Sequence, residues 1–97
     1  MAMPETLLNA VTGNTTGTGI AITGDFEVSG VGDAAGGYVQ LERSVLDVAG
    51  DYKPVGIESR SYGDFHAAIR NVGTNYYRAV LRGATRVGAG YTLKANQ

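Results

Sequence analysis

Four groups of residues have types and spacings that chemistry could use. They are the single histidine His66, the carboxylates Asp25 and Glu27 two positions apart, the run Gly13-Asn14-Thr15-Thr16-Gly17-Thr18-Gly19, and the bases Arg78, Arg82 and Lys94 with Tyr76 among them. A metal needs several ligands, and with no cysteine and no second histidine only carboxylates remain to complete a set around His66. As a general base His66 would need a nucleophile, and no serine stands in a Gly-x-Ser-x-Gly elbow. Asp25 and Glu27 have the residue types of a glycosidase pair, but two positions apart on a strand they lie side by side on one exposed face rather than across a substrate. Pairing across the ladder with His66 and Arg70 is the expected role. The glycine-rich run lacks the following lysine and helix start of a phosphate loop, which leaves a polar turn.

The bases with Tyr76 have the make-up of a site for single-stranded nucleic acid or an acidic glycan. Three charges beside Glu42, in a chain of net charge −1, make a weak footprint for nucleic acid. Glu42 is expected to face Arg78 or Lys94 instead. No catalytic residue, metal site or cofactor is expected, and the reading is of a protein that is not an enzyme.

The elements that must position these residues have a period of two. Alternation runs through Ile20/Ile22, Phe26/Val28, Val39/Leu41, Phe65/Ala67/Ile69, Tyr77/Ala79/Leu81 and Tyr91/Leu93. Clusters of turn residues separate them at 13–17, 30–37, 49–51, 61–64 and 72–75. The expected strands are Thr6–Thr12, Thr18–Gly30, Gly37–Ser44, Tyr52–Glu58, Phe65–Asn71, Asn75–Arg82 and Gly88–Ala95. This predicts an all-β fold, an antiparallel β-sandwich of about seven strands of the immunoglobulin or fibronectin kind. Gly24 falls inside the second segment without changing its phase, which reads as a bulge in one long bent strand. Val45–Ala49 is too short for a helix and reads as the loop between the third and fourth strands. Tyr77 sits where sandwiches place a tyrosine corner and is expected to be buried, with Tyr76 exposed.

Ninety-seven residues, 43% hydrophobic and 18% charged, describe one folded domain over 1–97 with one core. Extended arms are expected at 1–8 and 95–97. The absence of cysteine suits folding in a reducing cytoplasm. The start lacks a basic leader, and no apolar run reaches the length of a membrane span, so no membrane partner is expected. All nine acids lie in residues 1–64, whereas 65–97 holds five bases and no acid. In a β domain such halves can neutralise each other strand against strand.

The segments Gly24-Asp25-Phe26-Glu27-Val28-Ser29-Gly30, Tyr38-Val39-Gln40-Leu41-Glu42-Arg43-Ser44, Tyr52-Lys53-Pro54-Val55 and Tyr76-Tyr77-Arg78-Ala79-Val80-Leu81 together resemble small β-sandwich proteins of tailed-bacteriophage virions. The match spans residues 18–95 and departs from the pattern at Leu46-Asp47-Val48-Ala49, where a glycine-rich turn is usual. The resemblance implies a many-copy, non-enzymatic capsid decoration or cement protein. It would bind the outside of the major capsid protein shell, contact copies of itself, and be assembled in the bacterial cytoplasm, with no nucleic acid as partner.

On that reading Pro4, Glu5, Leu7 and Leu8 form a clamp onto a neighbouring subunit, and an open edge strand is the second contact. Tyr38, Tyr62, Tyr76, Arg78 and Arg82 complete the candidate partner surface. An adhesion module is the alternative, with the loops Gly13–Gly19 and Asp33–Gly37 beside Tyr38 and Tyr62 recognising a cell-surface glycan. A tail or fibre-associated structural protein is a further one.

Overall fold

The computed structural model describes residues 4–62 and 65–97, with the backbone alone described at 56–62 and 65. Met1–Met3 and the second half of the expected turn at 61–64 lie outside the described residues. Eight strands follow in order: β1 (Glu5–Val11), β2 (Thr15–Thr16), β3 (Ile20–Thr23), β4 (Phe26–Ser44), β5 (Lys53–Tyr62), β6 (Phe65–Ile69), β7 (Thr74–Arg82) and β8 (Gly90–Asn96). The one helical turn among the described residues is a 3-10 turn at Ala49–Asp51. Every strand pairing is antiparallel. The fold is all-β and sandwich-like, as the alternation requires.

β4, nineteen residues long, is the spine. Its first part pairs with β6 on one side, Phe26↔Ile69 to Gly30↔Phe65, and with β8 on the other, Glu27↔Asn96 to Asp33↔Gly90. Its last part pairs with β5 and β7 in the same way, Arg43↔Lys53 and Arg43↔Tyr77 among the partners. β1 lies outside β8, and β2 and β3 lie outside β7. The two layers are thus halves of one sheet, β1-β8-β4-β6 and β2/β3-β7-β4-β5, folded face to face. Phe26 of the first half meets Tyr77 of the second edge-on, ring centroids 4.7 Å apart, inside the shared core.

The fold line falls where a turn was expected. Residues 30–37 do not end a strand; they bend β4 as it passes from one layer to the other. The inward side chains are Phe26 and Val28 before the bend and Val39 and Leu41 after it, so the phase shifts by one residue. Gly32, Ala35 and Gly36 take positive φ of 124°, 57° and 82°, which bends a strand without ending it. The reverse holds at Gly24. There the expected continuous strand breaks, because β3 belongs to one layer and β4 starts in the other, and the unchanged phase across Gly24 hides a change of layer.

Two polar ties hold the ends of the folded sheet. At the open end, where the connections β3–β4 and β6–β7 both cross between layers, buried Asn71 binds them together. Its Nδ2 donates to the carbonyls of Ile22 and Gly24, both at 3.0 Å, and its Oδ1 accepts from the Tyr77 hydroxyl at 3.0 Å and from Asn75 Nδ2 at 2.7 Å. Its backbone N–H donates to Asp25 Oδ1. Tyr77 therefore does tie back the preceding crossover; Tyr76 is half-buried rather than exposed.

At the fold line Asp33 accepts a two-pronged pair from Arg86, at 2.6 and 2.7 Å, and the N–H groups of Ala35 and Ala89. Arg86 foremost, with those N–H groups, lowers the Asp33 carboxyl to about 2, while its partial burial pulls the other way. A carboxyl depressed on folding stabilises the fold above its ordinary value of 3.8 and loses that contribution as pH falls through about 2. Asp33→Asn is therefore expected to flatten the acid limb of the stability curve between about pH 4 and 2. Chemical denaturation across that range checks it: a limb as steep as the wild type's would contradict the assignment.

Candidate functional site

The expected clamp is part of the protein's own sheet. Glu5 pairs with Ala95 and Leu8 with Leu93, and Leu7 and Leu8 are both buried in the core, 4% and 3% exposed. A register shift on either side of Leu8 lets two successive leucines turn inward, which simple alternation would forbid. Pro4 is exposed at the start of β1. The expected arm at 95–97 is likewise built in: Ala95 and Asn96 belong to β8, and Gln97 Nε2 bonds the carbonyls of Thr23 and Asp25.

Tyr76, Arg78 and Arg82 do share the outward face of β7, since Tyr77, Ala79 and Leu81 fill the core. Tyr38 is their neighbour on β4, directly opposite Arg82, and is half-buried. Tyr62 pairs with Asp33 through its backbone, and its side chain lies outside the described residues. Lys94 is not part of this group. It sits on β8 in the other layer, between Thr6 and Ser29.

The two arginines are held inward by a carboxylate. Glu42, opposite Arg78 in the ladder, is 3% exposed, and Arg78 Nε and Arg82 Nη2 reach its two oxygens at 2.8 and 3.1 Å. Packed against this pair through Arg78 is Tyr52, a residue that alternation alone did not single out. Its ring lies under the Arg78 guanidinium, 4.1 Å from the centroid. Its hydroxyl donates to Asp47 Oδ1 at 2.5 Å, beside Gly19. A Cβ on Gly19 would overlap both groups, so glycine there gives Tyr52 room to cross the face. Burial, and then the Asp47 carboxylate, push the Tyr52 hydroxyl up to about 12, which keeps it a donor.

Tyr52 closes a loop, residues 45–52, whose backbone is fixed by side chains. Asp51 Oδ2 accepts from the Ser44 hydroxyl and from the N–H groups of Val45 and Leu46, at 2.8, 2.9 and 3.1 Å. The Ser44 hydroxyl oxygen accepts from the N–H of Asp47 at 2.8 Å. These donors, the Ser44 hydroxyl foremost, hold the Asp51 carboxyl below its usual value. The aliphatic side chains of the loop play no part in this network. Val45, Leu46 and Val48 are 66%, 69% and 52% exposed. The other large exposed aliphatics, Val31, Val72 and Val87, lie far apart along the chain, so this loop is the one place among the described residues where three fall within four positions.

Elsewhere the early acids meet late bases or the histidine: Arg86 with Asp33, Arg78 and Arg82 with Glu42, and His66 with Glu27 at 3.2 Å. Asp25 does not join His66 and Arg70 in the expected ladder pair; its carboxylate accepts the Asn71 N–H. Among the described residues no three His, Cys, Asp or Glu side chains gather as a metal site, and no helix is long and apolar enough to cross a membrane. Comparison with known proteins finds no match, whether to a family model, a curated sequence or a solved structure.

Proposed function

We propose that this chain is a non-enzymatic structural protein of a bacteriophage virion, a capsid decoration protein that binds the outside of the shell through the loop at 45–48. The observation that carries the docking role is the side-chain-locked loop with three outward aliphatics. A rigid apolar projection meets its partner with little ordering entropy to lose, and the three aliphatic side chains stand in solvent while the polar side chains of the loop hold its backbone. The resemblance to virion sandwiches supplies the kind of partner. The departure of Leu46-Asp47-Val48-Ala49 from that pattern falls on this same loop.

Full burial of a leucine contributes roughly 1.5–3 kcal/mol. Covering the two-thirds of Leu46 that is exposed, and placing a charge there instead, makes Leu46→Asp weaken shell binding by about tenfold or more. Co-sedimentation of wild type and variant with empty major-capsid shells tests this. Saturable binding of the wild type and its loss in the variant are expected. A wild type that stays in the supernatant, or a variant that binds equally well, would contradict the proposal.

A further inference from the structure

At the open end of the sheet, β5 begins in one layer and β6 ends in the other. Between them lies a cleft of about 330 Å³ lined by Pro54, Val55, Ala68 and Ile69, with Tyr77 at its inner side. Arg43 and Arg70 line it from the two layers. Arg43 continues the inward-facing series Val39, Leu41 and stands opposite Tyr77 in the ladder, close to the tyrosine hydroxyl.

These two arginines are unlike the rest. Every other arginine whose side chain is described, Arg78, Arg82 and Arg86, is matched to a carboxylate. Among the described residues no carboxylate lies within ion-pair distance of Arg43 or Arg70, and none lines the cleft. Two like charges at one small opening repel each other, and an anion between them relieves this. Guanidinium groups present paired donors that match a carboxylate in the plane. Pro54, Val55, Ala68 and Ile69 give a short aliphatic stem something to lie against, and the volume falls at the small end of the usual range for ligand sites, roughly 300–1,000 Å³.

We infer that this cleft binds a carboxylate carried on a short aliphatic stem, supplied either by a free short-chain acid or by an acidic side chain or terminal carboxylate of a protein partner. The inference does not depend on which surface the loop at 45–48 docks on. The competing account is that both arginines only lay their stems over the edge of the core.

Titration of the full chain with butyrate, followed by NMR of the arginine Nε–H groups and the methyls of Val55 and Ile69, separates the two. A second arm uses a short peptide ending in glutamate with its terminal carboxylate free, and an amidated counterpart in which glutamine replaces that glutamate, so that no carboxylate remains. Saturable shifts confined to the cleft are expected from butyrate, from the free-carboxylate peptide, or from both, with whichever binds naming the source. The amidated peptide and butylamine should leave the cleft unmoved. Arg43→Gln and Arg70→Gln, both at exposed positions, should each weaken binding tenfold or more, and Arg43→Lys, which keeps the charge but loses the fork, should bind more weakly than the wild type. If neither carboxylate probe shifts the cleft, or if binding is unchanged in the two glutamine variants, the arginines are edge cover and the inference fails.

Discussion

Asn71→Ala is expected to destabilise the protein by about 3–5 kcal/mol, the largest effect of any single substitution considered. The change removes two donors that satisfy the carbonyls of Ile22 and Gly24, and it takes away the acceptor of the hydroxyl of Tyr77, which is fully buried. Each buried polar group left without a partner costs about 1–3 kcal/mol. The loss is a large fraction of the 5–15 kcal/mol that holds a typical domain. In a domain of this size it corresponds to a fall in Tm of about 12 °C or more. Tyr77→Phe alone should cost only about 1 kcal/mol, because Asn71 Oδ1 keeps the Asn75 donor. In the Asn71→Ala background the same Tyr77→Phe change should cost nothing or restore stability, since the hydroxyl has already lost its acceptor. Thermal melts of the four proteins form a double-mutant cycle. Additive losses would show that Asn71 and Tyr77 do not act as one tie.

The second large effect is expected at Glu42. Arg78→Ala should cost about 3 kcal/mol, because it leaves a carboxylate only 4% exposed with one partner in place of two and takes the packing off Tyr52. Arg82→Ala should cost less than about 1 kcal/mol, since that side chain is half in solvent and its contribution is screened. Arg78→Ala also loosens Tyr52, and with it Asp47 and the end of the loop, so shell binding should weaken with stability. Arg82→Ala should leave binding near the wild-type level. Urea denaturation of both variants checks the order: equal costs would mean that Glu42 is not held chiefly from the Arg78 side.

How far the sequence foretold this depends on the kind of signal. Period-two alternation found the strands that contribute one face to the core, and charge distribution foretold that early acids would meet late bases, Glu42 with Arg78 among them. Alternation does not report where a strand changes layer. Residues 30–37 have the composition of a turn because positive φ is needed there, yet the hydrogen bonding continues through the bend, and Gly24 keeps its phase while the chain crosses to the other layer. Leu7 and Leu8, expected in an arm at the chain end, are in the core, and two adjacent apolar residues can both turn inward because register shifts in β1 interrupt the alternation. Tyr52, Asn71 and the arginine cleft rest on contacts across the ladder or between layers, which local pattern does not contain. The loop did carry a sign of its own: Val45-Leu46-x-Val48 is apolar without period, between Ser44 and Asp51, whose side chains fix its backbone.

The central claim is that the chain acts by seating the 45–48 loop on a capsid protein. Its most direct test is a cryo-electron microscopy reconstruction of empty shells saturated with the purified protein. The account predicts ordered density for the domain on the outer surface, with Val45, Leu46 and Val48 buried against the major capsid protein. Ordered domains whose 45–48 loop points into solvent would contradict it.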